Sequence, residues 1–333
     1  MKRNLLLAVA FLATFTVWAQ NIAVVSPSNE TTIYQTLDDA VAGATNGSVV
    51  YLPGGGFQIK GETKIDKRIT LMGVSHRGDT DNVDGATVIA GNLNFVKGSS
   101  GSAVIGMYVS GNINLSEDSI DNIVVRHCNI NSIQIKNSTC TGTYVNQCYL
   151  RNLSRFAGAN GKLSNCICSA VVDVNGCDIL NNIFLKSVEI DRYRSHALYA
   201  DNSIITGNII VATGHHNTYY TGAIPSAYVG GSNNTGSHNM TKGGEWGDNG
   251  VDIGGETDWN IVFEKYNQGS ISLNSNFHLT GDYKQYDGKI GIYGGTGFTN
   301  EALAPIPRIV SKKVAEQTDG TGKLKIEVTV KAQ

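Results

Sequence analysis

The sequence has few charged residues, few prolines and no long hydrophobic run beyond its first segment. Charged residues make up 16% of the 333, and the formal net charge is −2. This balance excludes a highly charged disordered chain, and it argues against nucleic acid as a partner, since that function favours a basic surface. Only 5 residues are proline, whereas 39 are glycine and 32 are asparagine. Such a composition favours turns and short strands over long helices.

The first segment has the features of a signal peptide. Lys2 and Arg3 precede an apolar stretch at residues 5–17, and Ala19 closes a site that a signal peptidase reads. We therefore expect residues 1–19 to be removed before Gln20. The expected location of the mature chain is then the cell surface, the extracellular space or the periplasm. No later apolar run is long enough to span a membrane, so we expect no membrane-spanning segment after cleavage.

The cysteines lack the paired CxxC spacing of zinc sites. All 6 lie within residues 128–177, and three of them recur at equivalent positions of a repeat. This pattern favours buried free thiols and leaves one oxidised pair open as an alternative. The cysteines are Cys128, Cys140, Cys148, Cys166, Cys168 and Cys177.

A faint repeat runs through the middle of the chain. Its anchors are Cys128, Cys148, Cys166, Asn182, Asn208 and Asn239, at steps of 20, 18, 16, 26 and 31 residues. Short alternating strands separated by turns and variable loops are typical of the coils of a parallel β-helix. Equivalent residues then stack about 4.8 Å apart, so asparagines at the anchor can hydrogen-bond along the axis. An antiparallel sandwich is the alternative, but the Asn-Gly pairs do not join matched strands.

The beginning of the chain predicts a short helix. Thr36 and Asp39 have the spacing of a capping box, and Leu37, Val41 and Ala44 share one helical face. A β-helix has an open first coil that must be covered. We predict that a helix at 36–45 covers it.

Three nearby segments carry a family resemblance. Residues 34–41 (YQTLDDAV), 47–55 (GSVVYLPGG) and 65–74 (IDKRITLMGV) resemble the opening of the pectin-lyase-like superfamily. The resemblance implies an all-β, right-handed single-stranded parallel β-helix, and the residue patterns add a short N-terminal capping helix and a C-terminal β-hairpin. The β-helix domain is expected at 20–300, with long loops at 212–260, and the hairpin or cap segment at 301–333. Alternating apolar residues at 324–330 predict a half-buried strand in that hairpin.

The resemblance implies a fold more than an activity. The family includes pectate lyases, polygalacturonases, phage tailspikes and exported proteins without assigned activity. The Asn-Thr-Asp and Arg-Ile-Lys motifs of polygalacturonases are absent, as is the Trp-Ile-Asp-His segment of pectate lyases. His215 and His216 follow Gly214 without a partner aspartate pair, because Asp38 and Asp39 belong to the capping helix.

One polar cluster is a candidate catalytic group. A lyase acting on uronic-acid chains needs a base for the C5 proton and a cation to offset the substrate carboxylate. Asp191, Arg194 and His196 would supply these, with Arg194 or His196 as the base and Asp191 assisting Ca²⁺. Alternation along one strand would place Asp191 on one face and the other two on the opposite face. The alternative is a solvated loop with ordinary ion pairs.

Two further groups are candidate binding sites. Aromatic residues with polar neighbours suit sugar rings, although a loop that packs its own aromatics has the same composition. This predicted carbohydrate site consists of His215, His216, Tyr219, Tyr220 and Tyr228. Asp248, Asp252 and Glu256 offer oxygen ligands for Ca²⁺, but their spacing fits no EF-hand loop. No cofactor is certain from the sequence, and Ca²⁺ is the one these carboxylates suggest.

These observations support two main hypotheses of function, beside a third in which the chain is a spacer inside a larger surface assembly. The first is an exported bacterial β-helix protein that binds glycans or has a structural role at the cell surface, without catalysis. The second is a polysaccharide lyase or glycoside hydrolase acting on a uronic-acid-containing polysaccharide. Either way the expected partner is a polysaccharide or surface glycan. The sequence is compatible with an enzyme and with a protein that has no catalytic activity.

Overall fold

The structure is a computed structural model that describes residues 21–59, 63–78, 85–186, 188–191, 194–211, 229–242, 244–254, 258–266, 272–298, 307–318 and 320–331. Residues 188–191, 194–195 and 308–309 are described by backbone alone. Over these residues the chain is all-β, and most strands belong to two long sheets. Two short helices, α1 (Leu37–Gly43) and α2 (Trp259–Val262), and 3₁₀ turns at Gly281–Tyr286 and Gly291–Tyr293 are the described helical elements.

The strands are short and follow one another closely along the chain. The first are β1 (Ile22–Val25), β2 (Thr31–Tyr34), β3 (Ser48–Tyr51), β4 (Gly55–Gln58), β5 (Lys64–Ile65), β6 (Ile69–Met72), β7 (Thr87–Ala90), β8 (Leu93–Phe95), β9 (Ala103–Ile105), β10 (Tyr108–Leu115), β11 (Val124–Arg126) and β12 (Asn129–Ile135). Then come β13 (Tyr144–Asn146), β14 (Tyr149–Leu150), β15 (Ser154–Phe156), β16 (Lys162–Ser164), β17 (Ile167–Cys168), β18 (Val171–Asn175), β19 (Asp178–Leu180), β20 (Ile183–Phe184), β21 (Val188–Asp191), β22 (Arg194–His196), β23 (Leu198–Asp201), β24 (Ile204–Thr206) and β25 (Ile209–Ile210). The last are β26 (Val229–Gly230), β27 (Thr235–Ser237), β28 (Met240–Thr241), β29 (Val251–Asp252), β30 (Phe263–Lys265), β31 (Asn276–Leu279), β32 (Arg308–Thr318) and β33 (Leu324–Lys331).

Two sheets form the body, and the chain passes from one to the other in turn. Sheet 1 has 11 strands in the order β2-β1-β3-β6-β9-β11-β13-β16-β19-β24-β27. Sheet 2 has 16 strands, and its main path runs β26-β23-β18-β15-β12-β14-β17-β20-β25-β28-β29. From β3 onward the pairing in sheet 1 is parallel, as is the pairing throughout sheet 2. We call one pass through both sheets a coil. The stacked coils are compatible with a parallel β-helix.

Sheet 2 has two flanks, because each coil contributes to it twice. Flank A contains β4, β7, β14, β17, β20, β25 and β28, and flank B contains β5, β8, β15, β18, β23 and β26. The long strands β10 and β12 pair on both flanks.

The repeat expected from the sequence is confirmed as a column of stacked residues at the turn from sheet 1 to flank A. Its members are fully buried: Met107, Cys128, Cys148, Cys166, Asn182, Asn208 and Asn239. The amides form the expected ladder, in which Asn208 Oδ1 accepts from Asn182 N at 2.9 Å and from Asn182 Nδ2 at 3.0 Å. Asn239 Oδ1 accepts from Asn208 N and Nδ2, both at 3.0 Å. All six cysteines are buried and free.

The residue before each column member turns the chain by adopting a left-handed conformation. The φ angles are 51° at His127, 53° at Gln147, 52° at Asn165, 56° at Asn181, 69° at Gly207 and 54° at His238. Asparagine and glycine accept this conformation more easily than most residues. At Gly207 a Cβ atom would lie 2.3 Å from Asn181 Oδ1, so glycine also permits the close approach of neighbouring coils.

Flank A departs from the expected alternation of inward apolar and outward polar residues. Ile167, Ile183 and Ile209 are at most 1% exposed, although their strand neighbours already fill the interior. They belong to a second apolar cluster with residues of the described segments 258–266 and 272–298, which we together call the strap: Trp259, Val262, Phe263, Phe277, Leu279, Ile292 and Phe298. Asn165 Nδ2 donates to Ile292 O at 2.9 Å and to Gly294 O at 2.7 Å, which ties the strap to the coils.

Helix α1 begins after Thr36, whose Oγ1 accepts from Asp39 N at 3.1 Å. Its buried residues, Leu37, Ala40 and Val41, join the interior cluster. The segment 212–260, expected as long loops, contains strands β26 to β29 in its described part, so that expectation was too broad.

The C-terminal strands β32 and β33 pair antiparallel. Every residue of β33 is exposed, so the expectation of a half-buried strand was wrong. The apolar alternation is present, but no described element covers that face enough to bury it.

Candidate functional site

The expected catalytic group lies on a small antiparallel pair outside the main sheets. Strands β21 and β22 place Asp191 opposite Arg194 in the backbone register. The segment is therefore two strands and not one, so a single alternation cannot assign these residues to opposite faces. The side chains of Asp191 and Arg194 lie outside the described part of the structure, and their catalytic role stays a prediction.

His196 is a buried residue, only 5% exposed. Its ring lies 5.6 Å from the ring of Tyr199. A Cβ atom on Gly230 would come within 2.9 Å of His196 Nε2, so the backbone of the next coil packs against the imidazole. This close packing at the junction of β22 and β23 favours a structural contribution from His196.

The two predicted binding sites lie partly or wholly outside the described residues. This holds for all of His215, His216, Tyr219, Tyr220 and Tyr228, and also for Glu256. Asp248 bridges to Ser237 through its backbone. The Asp252 carboxylate accepts from Gly254 N at 2.8 Å. Among the described residues no group of three or more His, Cys, Asp or Glu could hold a metal ion, and the Ca²⁺ site stays a prediction.

A groove of about 540 Å³ lies on the outer face of flank B. It is lined by Lys64, Asn94, Val96, Asn112, Asn114, Leu115, Ser116, Glu117, Gln134 and Lys136. None of these residues belongs to the groups that the sequence suggested. The groove is the candidate functional site that the structure adds.

A file of polar side chains runs along the floor of the groove. Lys64 pairs with Asn94, Asn94 with Asn114, and Asn114 with Gln134, in four adjacent parallel strands. Each lies beside buried apolar residues of its own strand, so alternation turns the polar side chain outward. With strands about 4.8 Å apart, the file spans roughly 14 Å along the stack. Arg155 continues the file in the next coil.

Hydrogen bonds hold the amides of the file in fixed orientations. Asn114 Nδ2 donates to Asn94 Oδ1 at 2.7 Å. Gln134 Nε2 donates to Leu153 O at 2.9 Å and to Ser132 Oγ at 3.0 Å. Three polar atoms of the file then have no partner among the described residues: the donor Asn94 Nδ2 and the acceptors Asn114 Oδ1 and Gln134 Oε1. Fixed donors and acceptors in a row suit the hydroxyl groups of a sugar chain.

The charges in the groove are mostly positive. Lys64 and Lys136 are exposed, and neither makes an ion pair with another described residue. Glu117 is the one carboxylate in the lining, and its Oε2 accepts from Lys97 N at 2.7 Å. Glycoside hydrolysis normally uses two carboxyl groups on either side of the scissile bond. The described lining therefore has the chemistry to bind an extended polar chain but not the usual pair for its hydrolysis.

The sequence contains a signal for this groove that composition alone does not reveal. Leu93-Asn94-Phe95, Ile113-Asn114-Leu115 and Ile133-Gln134-Ile135 recur at steps of 20 residues, each with an amide between two apolar residues. An in-register stack converts this recurrence into a continuous file.

No protein-family model, curated protein or solved structure matches this chain. No helix in the described part of the chain is both long enough and apolar enough to cross a membrane.

Proposed function

We propose that this chain is an exported bacterial β-helix protein that binds an extended polysaccharide in the flank B groove without cleaving it. The observation that carries the proposal is the in-register file Lys64, Asn94, Asn114 and Gln134. A file parallel to the stack presents similar groups at a regular spacing, as a polymer of repeating sugars requires. Lys64 and Lys136 favour a polymer that carries carboxylate or sulfate groups.

The fold details that go with this proposal are a right-handed β-helix of the pectin-lyase-like type, a first coil covered by α1, and export directed by residues 1–19. The three opening segments and the parallel stack support the fold assignment. The burial of Leu37, Ala40 and Val41 in the interior cluster supports the covering role of the helix.

The alternative is a polysaccharide lyase or hydrolase centred on Asp191, Arg194 and His196. One assay separates the two functions. The mature protein is incubated with a panel of neutral and acidic polysaccharides, with and without Ca²⁺, and both new reducing ends and retained polymer are measured. Binding without new ends supports the proposal.

The groove is tested in the same assay with the Asn114→Ala, Gln134→Ala double variant. Asn175→Ala is a matched control, because Asn175 is an exposed amide in β18, away from the groove lining. Loss of retained polymer in the double variant but not in the control assigns binding to the groove. New reducing ends that persist in both variants would overturn the proposal in favour of an enzyme with another site.

A further inference from the structure

The lysines of the flank B groove lie at its two ends. Lys64 is in β5, at the first position of the polar file, and Lys136 directly follows β12, in the coil of Gln134. Both lysine side chains are exposed. Between them, β8 and β10 contribute the neutral amides of Asn94 and Asn114 to the file. The lysines are therefore separated along the stack by roughly 14 Å, which is about three sugars of an extended chain.

The free hydrogen-bonding atoms between the lysines are mainly acceptors. Gln134 Nε2 donates to Leu153 O at 2.9 Å, and because a backbone carbonyl can only accept, this bond leaves Oε1 as the free end of the amide. Asn114 Nδ2 donates to Asn94 Oδ1 at 2.7 Å, so Asn114 also presents its oxygen. A sugar hydroxyl can donate to these oxygens, whereas an ionised carboxylate or sulfate has no proton to donate. The middle of the groove therefore favours sugars without charge.

Glu117 places a negative charge beside the same part of the groove. It lines the groove two residues after the end of β10, and its side chain is exposed. Its Oε2 accepts from Lys97 N at 2.7 Å, which holds the carboxylate in place. Glu117 makes no ion pair with another residue that the structure describes, so no direct contact there neutralises its charge. An anionic group on a sugar at this coil is therefore repelled.

We propose that the groove selects an acidic polysaccharide in which neutral sugars separate the charged ones, and that Glu117 discriminates against a polymer charged on every sugar. This inference rests on the proposed function, because it specifies which polysaccharide the flank B groove binds. Lys64 and Lys136 each attract one anionic group, and the amides between them bind hydroxyl groups. A neutral polymer lacks the contacts with both lysines, and a fully charged polymer adds repulsion by Glu117.

Polygalacturonate is a suitable probe, because methyl esterification removes its charges without changing its backbone. Three preparations of equal chain length are compared: one free of esters, one with about one free carboxylate per three sugars, and one fully esterified. Their binding to the wild-type chain is measured by calorimetry at fixed pH and ionic strength. The intermediate preparation is expected to bind most tightly, by about fivefold over each of the others.

Variants of single charges assign the selectivity to the groove. Glu117→Gln is expected to tighten binding of the ester-free preparation up to about fivefold and to leave binding of the fully esterified one unchanged. Glu316→Gln is the matched control, because Glu316 is an exposed carboxylate in β32, outside the groove lining, and it is expected to change neither. Lys64→Gln combined with Lys136→Gln is expected to weaken binding of the intermediate preparation to the level of the fully esterified one.

The outcomes distinguish a failure of this inference from a failure of the proposed function. Suppose that Asn114→Ala, Gln134→Ala abolishes binding, but binding to the wild-type chain tightens steadily with charge; the groove then binds polysaccharide and the inference is overturned. It is also overturned if the intermediate preparation is not bound, or if Glu117→Gln keeps the selectivity of the wild type. If the double amide variant binds every preparation as the wild type does, the site lies elsewhere and the proposed function fails with the inference.

Discussion

Asn208 occupies the middle of the buried amide ladder, and its replacement by leucine is the most direct test of what the ladder contributes to stability. Asn208 Oδ1 accepts from both nitrogens of Asn182, and Asn208 Nδ2 donates to Ile179 O at 2.8 Å and to Asn239 Oδ1 at 3.0 Å. Leucine fills a similar volume but makes none of these bonds. The substitution therefore separates hydrogen bonding from packing.

The expected loss follows from the bonds that disappear. Five side-chain hydrogen bonds are lost at about 1 kcal/mol each, the fifth being the bond from Asn208 Nδ2 to Thr206 O at 3.2 Å. The buried N–H of Asn182 also loses its acceptor, at a further cost of about 1 to 3 kcal/mol. New apolar contacts of the leucine offset part of this, so we expect unfolding free energy to fall by about 3 to 5 kcal/mol. A domain is typically stable by about 5–15 kcal/mol, so the variant should be close to unfolding.

Two comparison variants make the test specific. Asn208→Cys introduces the residue type that the column already has at position 166. There, Cys166 Sγ accepts a hydrogen bond from Cys148 N at 3.4 Å. The Asn208→Cys variant should lose about half as much stability as the leucine variant. Asn202 also lies in an amide ladder, but it is exposed, and its φ of 52° suits glycine. Asn202→Gly should lose less than about 1 kcal/mol.

The assay is urea denaturation followed by circular dichroism and by tryptophan fluorescence. Coincident transitions are needed before the free energies are compared, because stacked coils can unfold in steps. If Asn208→Leu proved as stable as Asn202→Gly, the ladder would not stabilise the coils and the reasoning would be refuted.

Three further predictions concern buried groups. Burial, with a smaller contribution from the charge of Arg126, lowers the pKa of His127 from 6.5 to about 4. As pH falls, His127 therefore binds a proton in the unfolded chain before it does so in the folded chain, and up to about 3 kcal/mol of unfolding free energy should be lost between about pH 6.5 and 4. In His127→Asn, denaturation measured at each pH should no longer show this loss. Because burial raises the pKa of the Cys128 and Cys148 thiols, we expect no reaction of native protein with a disulfide reagent and 6 reactive thiols after unfolding. Asn165→Gly keeps the left-handed turn but removes three bonds to the strap, two donated by Asn165 Nδ2 and one that Asn165 Oδ1 accepts from Thr296 Oγ1 at 3.0 Å. Hydrogen exchange of residues 272–298 should therefore accelerate about tenfold or more while sheet 1 stays protected.

Each of these has a contradicting result. His238 is exposed at an equivalent turn, and a His238→Asn variant that flattened the pH profile as much as His127→Asn would refute the burial argument. Fewer than 6 thiols after unfolding without reductant would show an oxidised pair. Unchanged exchange in the strap of Asn165→Gly would mean that apolar contacts alone hold it.

The stacked column could be predicted from the sequence because its signal is local and repeated. A left-handed residue followed by Cys or Asn recurs from Cys128 to Asn239, and each coil reproduces the same turn. Helix α1 could be predicted for the same reason, because its two capping residues, Thr36 and Asp39, are only three positions apart.

The strap and the groove could not be predicted in the same way. Ile167, Ile183 and Ile209 are buried by the strap. No local sequence pattern predicts contact with residues so far away in the chain. The groove depends on the register that aligns Asn94, Asn114 and Gln134. Burial of β33 was predicted wrongly because alternation specifies an amphipathic strand but not whether its apolar face has a partner.

The central claim is that the flank B groove binds a polysaccharide, and one titration tests it most directly. The polysaccharide retained most strongly from the panel is titrated by calorimetry into wild-type protein, into the Asn114→Ala, Gln134→Ala variant and into Asn175→Ala. We predict that the groove variant weakens binding at least tenfold, since two ligand-facing amides are lost, and that the control binds as wild type. Equal affinity in all three proteins would contradict the claim.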